Sequence, residues 1–248
     1  MVTVATESSW RDDAPTEAMD EALSSEAFIA RLRDVGTRKY HDKHPFHTLM
    51  HAGKLSREQL RVWALNRFYY QRNIPAKDCA LMSLMPSPDD RRRWRQRLLD
   101  QDGTETDPGG IEAWLRLVEA VGGTREQAWN NAELLPGVRF AVDAYVTFVR
   151  THTWVEGVAS SLTELFSPDI MAVRIAAFEK YYPWVGEEGL RYFRGRPARA
   201  RSDSEHALEI VLRHCTTREA QEHAVAALEF KCDLLWSQLD AIYWHCVQ

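Results

Sequence analysis

The chain has 248 residues, of which 45% are hydrophobic and 27% charged, a balance typical of globular proteins that excludes a disordered or collagen-like chain. No apolar run approaches the ~18 residues needed to span a bilayer, and the start, Met1-Val2-Thr3-Val4, lacks the basic-then-apolar order of a secretory leader, so a cytoplasmic protein is expected. The formal charge is −5, and it sits at the start: residues 1–24 hold six acids and one base, leaving 30 acids and 30 bases elsewhere, a neutral body that argues against nucleic acid as a partner.

Residues 1–24 are rich in Ser, Thr, Asp, Glu and Ala and read as a disordered acidic lead-in. A helix should begin near Ser24 or Ser25 and present Phe28, Leu32 and Val35 on one face. Pro45 opens a short helix that Gly53 ends. Ser56-Arg57-Glu58-Gln59 is a capping box before a long helix, which Pro75 should kink or break. Ser87-Pro88 places a cap before a proline at the first helical position and starts an Arg-rich helix to about Gln101. Residues 103–110 form a loop. Helices are then expected over Ile111–Val121, from the Thr124–Gln127 box, and as one long element from Pro136 to Phe166. Ser167-Pro168 repeats the cap-plus-proline pattern. A last helix opens at Thr216-Thr217-Arg218-Glu219 and runs to about Cys246. Strand patterning is scarce. The expectation over residues 25–248 is a single all-α domain, a bundle of seven or more helices with short connections.

In such a bundle, functional groups project inward from facing helices. Polar residues with apolar helical neighbours are therefore the candidates. Lys231 has Ala227, Leu228, Leu234 and Leu235 three and four positions away, so it faces the core unless it snorkels out. Tyr145 lies among Ala141, Val142, Phe148 and Val149, and is either functional or a core tyrosine. Arg174 is flanked by Ile170, Ala177 and Phe178. Arg67, Tyr70 and Gln71 share a face, as do Arg97 with Gln101 and Tyr192 with Arg196. Each pair alone fits a solvated surface. Together they suggest a pocket rich in Arg and Tyr, suited to a small multiply anionic ligand because guanidinium pairs bidentately with carboxylate.

Histidines at 41, 44, 47 and 51 could form a metal cluster, but Pro45 interrupts the helix and no Glu-x-x-His pair accompanies them, so no metal is expected. Four cysteines lie far apart with no Cys-x-x-Cys pair, which argues against a zinc site or a disulfide framework. There is no Walker A loop, dinucleotide glycine motif or nucleophile elbow.

Several longer stretches resemble the pyrroloquinoline-quinone synthase family: Asn66-Arg67-Phe68-Tyr69-Tyr70-Gln71 followed by Ile74-Pro75 and Lys77-Asp78, Gly109 to Leu115, Val138 to Tyr145, Ser160 to Phe166, and Phe230-Lys231. The likeness runs from about residue 26 to residue 245. It implies a seven-helix fold of the heme-oxygenase and thiaminase type, usually dimeric. It also implies an oxidase that needs no metal, heme or flavin. That enzyme closes the second ring of a reduced, polycarboxylated quinoline and oxidises it with molecular oxygen, releasing hydrogen peroxide.

The resemblance also implies roles for residues. Tyr40 and His41 contact the substrate, and Arg67, Tyr70 and Gln71 line the pocket. Arg97, Arg174 and Lys231 pair with carboxylates or quinone oxygens, while Tyr145 and Glu164 bind the polar edge. Tyr192 and Arg196 belong to a closing helix over the oxygen site. Gln101 and Met171 depart from the pattern, each standing where the family has a histidine. Gln101 cannot titrate near neutral pH, and Met171 offers at most a weak acceptor. The expected catalytic set is Tyr192, Arg196, Gln101, His41 and Lys231, with His41, Tyr192 or Lys231 as substitute base. The alternatives are an enzyme retuned to a related quinoline, a non-catalytic quinone or precursor binder, and a thiaminase-like hydrolase using Cys79, which otherwise reads as a buried structural cysteine.

Overall fold

A computed structural model describes residues 21–247, among which eleven α-helices and three short 3-10 turns occur and no strand. Most of the expected acidic lead-in lies outside the described residues. At its end, Leu23 exchanges two backbone hydrogen bonds with the Gln221 carboxamide. α1 (Ser25–Lys39) starts at Ser24, whose hydroxyl accepts from Ala27 N. Phe28, Leu32 and Val35 are buried as its spacing requires. A 3-10 turn (His41–Lys43) leads into α2 (Pro45–His51).

α3 (Arg57–Leu84) follows the Ser56/Gln59 capping box and runs unbroken through Pro75. The expected break does not occur. Pro75 has no N–H to give the Gln71 carbonyl, but it is buried, and buried residues lie along the helix on both sides of it. Tertiary packing thus outweighs the lost bond. α4 (Pro88–Asp102) is capped by Ser87. α5 (Gly109–Ala120) begins two residues earlier than expected, and α6 (Arg125–Asn130) has the Thr124/Gln127 box.

The single helix expected from Pro136 to Phe166 is three elements. α7 (Pro136–Thr151) stops at His152, where the backbone is extended. Thr153 and Glu156 form a capping box for α8 (Trp154–Ala159), and Ser160–Phe166 is a 3-10 turn. The box supplies a local alternative to helix continuation. α9 (Ser167–Tyr181) has Pro168 in its first turn, but Ser167 lies inside the helix and its side chain caps nothing. α10 (Gly186–His214) starts without a side-chain cap and contains Pro197. α11 (Arg218–Cys246) is capped by Thr217.

Two apolar clusters form the interior. One joins α1, α8 and the middle of α11, and the other joins α2, α5 and the start of α10 to the aromatic face of α3. Tyr70 and Met171 pack against both, so the seam between the clusters is where polar side chains can meet. Among the described residues, no helix is long and apolar enough to cross a membrane.

Candidate active site

The seam holds a cavity of about 90 Å3. α3 supplies one wall through a stripe four turns long: Trp63, Arg67, Tyr70, Gln71, Ile74, Lys77 and Asp78 line the cavity. This spacing keeps one helical face inward. Facing it are Tyr40 and His41 from the end of α1, Arg97 and Gln101 from α4, and Tyr145 from α7. Glu164, Met171 and Arg174 come from the 160–166 turn and α9, Tyr192 and Arg196 from α10, and Lys231 from α11. The structure therefore brings all fourteen sequence-predicted side chains to one cavity. Arg97 and Gln101 are buried, so the solvated-face reading of that pair is not correct.

Six bases line the cavity (Arg67, Lys77, Arg97, Arg174, Arg196 and Lys231) against three acids (Asp78, Glu164 and Asp203). These charges are unevenly spread. At one end, Arg97 lies 2.8 Å from Glu164 and 3.7 Å from Asp203, and it donates to the Asp203 carbonyl at 2.7 Å. Arg196 donates to Glu164 and lies 3.6 Å from Asp203. Burial, reinforced by the Glu164 charge, lifts the Asp203 carboxyl to about 7. Lys77 is buried beside Asp78, which also accepts from Trp94 Nε1 at 2.8 Å. Burial opposes the Lys77 charge, but Asp78 outweighs it and holds the ammonium above its ordinary value.

The other end has no carboxylate partner among the described residues. Arg67 donates to Gln238 at 3.0 Å and lies 3.8 Å over the Tyr70 ring. Arg174 donates to His47 Nε2 at 3.1 Å, and burial lowers its guanidinium to about 10. Lys231 is 1% exposed, donates to the Tyr70 hydroxyl at 2.6 Å and sits 3.3 Å from the centre of the Tyr145 ring. Burial first, then the charges of Lys77 and Arg67, push its amine well below the ordinary lysine value. Burial raises the Tyr40 and Tyr70 phenols. Arg67, Arg174 and Lys231 thus have no acid partner among the described residues, whereas Arg97 and Arg196 face Glu164 and Asp203.

His41 and His47 are buried, with their Nδ1 atoms 3.2 Å apart, and His47 Nδ1 lies 2.9 Å from the His41 carbonyl. Burial keeps both rings well below the ordinary histidine range, helped by Arg67 and Arg174 at His41 and by Arg174 at His47. His51 stacks on His47, but His44 turns away to cap α2 and contact Asp240 at 3.1 Å. The four histidines do not converge, and no group of three His, Cys, Asp or Glu side chains suited to a metal ion occurs among the described residues.

Gln101 is buried with its Oε1 unpaired, close against Gly110. Met171 is half-buried between the two clusters. Tyr192 donates to Gln71 Oε1 at 3.1 Å. Gln101, Tyr192 and Arg196 also border a second hollow of about 320 Å3 between α4, the start of α5 and α10. Cys79 is exposed and does not line the cavity, so it is not the buried structural cysteine expected. No cysteine reaches the cavity wall, and the thiaminase-like alternative loses its nucleophile.

Sequence reasoning missed several wall residues. His47 was noted only as part of a histidine run, and Asp203 lies in the Arg- and Ser-rich stretch of α10. Trp63, Trp114, Ser161, Thr163, Ser167, Leu235 and Leu239 also line the cavity.

A base-rich cavity inside an all-helical shell sits here in a heme-oxygenase-like fold. A domain of unknown function with that fold from Shewanella denitrificans matches with a TM-score of 0.68 at 14% identity, over 89% of this chain and 90% of that one. The model of the TENA/THI-4/PQQC family matches residues 29–241, and the chain belongs to this family. A pyrroloquinoline-quinone synthase from Pseudomonas aeruginosa is 54% identical over 225 residues, covering 91% of this chain and 88% of the relative. The one from Ectopseudomonas mendocina is 52% identical over 221 residues, covering 89% and 88%.

Proposed function

We propose that the chain is an oxidase of the pyrroloquinoline-quinone synthase type. It closes the second ring of a reduced quinoline bearing several carboxylates and passes the electrons to molecular oxygen, with release of hydrogen peroxide. The observation that carries this reading is the cavity's six bases against three acids, in a chain more than half identical to a named synthase. A polyanion is drawn to the acid-free end, where Arg67 and Arg174 meet carboxylates and Lys231 meets a ring oxygen.

An electron-rich quinoline reduces oxygen directly once it is deprotonated, so the protein's task is to move protons and stabilise developing oxyanions. The reaction proceeds without a metal, heme or flavin, and oxygen is the co-substrate. Lys231, whose ammonium burial and the charges of Lys77 and Arg67 push below its ordinary value, serves as proton acceptor, and Tyr192, held by its hydrogen bond to Gln71, relays a proton. Arg196 stands with Tyr192 at the oxygen side. Tyr40, Tyr70 and Tyr145 flank the ring, and Glu164 holds Arg97 and Arg196 in place.

The cavity of about 90 Å3 is smaller than the ~300 Å3 or more that such ligands fill. α10 therefore moves to admit the substrate, through the hollow bordered by Gln101, Tyr192 and Arg196. The enzyme works as a homodimer. Phe140 on α7 and Trp244 on α11 support this, both widely exposed on helices that pack together. Four free cysteines suit the reducing cytoplasm.

A second reading, a binder of the quinone or its precursor, is favoured by Gln101 and Met171, neither of which titrates near neutral pH. Aerobic incubation with the reduced precursor separates the two. Repeated turnover to the quinone supports the oxidase, whereas tight binding with no oxygen uptake supports the binder.

A further inference from the structure

Arg174, His47 and His41 form a hydrogen-bonded chain whose protonation states follow from its donors. A guanidinium can only donate, so His47 Nε2, 3.1 Å from Arg174 Nη2, must accept. The single proton of neutral His47 is then on Nδ1. That N–H points to the His41 carbonyl at 2.9 Å and has His41 Nδ1 within reach at 3.2 Å. A proton on His41 Nδ1 would face another N–H in a buried site and go unpaired, which is costly. His41 must therefore carry its proton on Nε2. That nitrogen has no protein hydrogen bond among the described residues, and His41 lines the cavity.

We propose that His47 is a positioning residue that, backed by Arg174, fixes His41 as its Nε2–H tautomer, so that His41 donates a hydrogen bond to an oxygen of the bound quinoline. The proposal rests on the quinoline reading of the cavity. It gives His41 the role of donor and not of base, because its free lone pair is turned away from the ligand and toward His47. Arg67, Arg174, Lys231 and His44 face His41 and oppose a second proton on it, and Arg174 with the neighbouring His41 and His51 rings opposes one on His47. The arrangement follows the general use of a histidine's second nitrogen to set what the first one does.

Nitrogen-15 NMR of the full-length, histidine-labelled protein without ligand tests the assignment. Long-range proton–nitrogen correlations distinguish the two neutral tautomers, and signals are assigned by their loss in His41→Gln and His47→Asn. The expected result is His41 protonated on Nε2 and His47 on Nδ1. His47→Asn keeps an amide donor near the Nδ1 position and should preserve the His41 pattern. His47→Phe removes the donor and should leave His41 divided between both tautomers. In turnover, His47→Phe should lower kcat by about 10- to 100-fold, as loss of an orienting partner commonly does, with little change in KM, and His47→Asn should recover most of it.

The proposal is overturned if wild-type His41 is protonated on Nδ1 or on both nitrogens, or if His47→Phe leaves its tautomer unchanged. The wild-type spectrum decides even if a variant fails to fold. Because it is read without substrate, the expected spectrum in a protein that never oxidises the quinoline would refute the functional reading alone.

Discussion

Replacing Lys231 with methionine should make the protein more stable and worse at its task. Lys231 is 1% exposed, and Ala227, Leu228, Leu234 and Leu235 around it are buried. Among the described residues its nitrogen has the Tyr70 hydroxyl as partner and no carboxylate. Exchanging buried ionic groups for apolar side chains of similar volume often stabilises by about 1–4 kcal/mol. Loss of the Tyr70 bond offsets about 1 kcal/mol of that, leaving a net gain of up to about 3 kcal/mol. For a chain of this length each kcal/mol moves Tm by about 2–4 °C, so a rise of up to about 12 °C is expected. The gap should also depend on pH. The folded amine sits below its ordinary value of 10.5, so the unfolded chain binds more protons at intermediate pH. Wild-type stability therefore rises with pH toward 10.5, and Lys231→Met lacks this contribution. Thermal unfolding at pH 7.5 and pH 9.5 should show the variant ahead at both, with a smaller margin at the higher pH. Affinity for the product quinone should fall about tenfold or more, the value of a charged hydrogen bond. A variant less stable than wild type, or a margin that does not change with pH, would refute the reasoning.

Asp203 gives the opposite slope. Its carboxyl is raised to about 7, so its stabilising contribution is complete below about pH 4 and is lost as pH rises through 7. Wild-type Tm relative to Asp203→Asn should fall between pH 5 and pH 8; a flat or rising difference contradicts the burial argument. Asp78→Ala leaves Lys77 charged and buried and Trp94 Nε1 unpaired. Calorimetry should show a loss of about 3–5 kcal/mol, and a loss under 1 kcal/mol would mean that Lys77 sheds its proton instead. The double variant Gln101→His with Met171→His restores two imidazoles to the wall, and one general base is worth about 100- to 10,000-fold. Steady-state turnover should rise if proton transfer is limiting, and an unchanged kcat would show that the chemistry does not use these positions.

The helix starts were legible because each has a local chemical cause. Ser24, Ser56, Ser87, Thr124 and Thr217 cap as their sequences indicate. Boundaries failed where the cause was subtler. The Thr153/Glu156 box lies between two helical segments that read as one long helix, and α10 begins at Gly186 without a capping side chain. Inward faces could be read from helical spacing, which is why Lys231, Arg174 and Tyr145 were found. Spacing reports which way a side chain points, not what it meets. Nothing along the chain says that Glu164 and Asp203 occupy Arg97 and Arg196 while Arg67 and Arg174 stay without acids. That pairing comes from the way the 160–166 turn packs against α10, which in turn packs against α4.

Oxygen consumption by chelator-treated wild-type protein given the reduced precursor quinoline is the most direct test of a cofactor-free oxidase. An oxygen electrode, with peroxide measured in parallel and the product identified by mass, should record many turnovers per chain, quinone as product and peroxide in step with oxygen uptake. No uptake, or activity that disappears with chelation and returns with added iron, would contradict it.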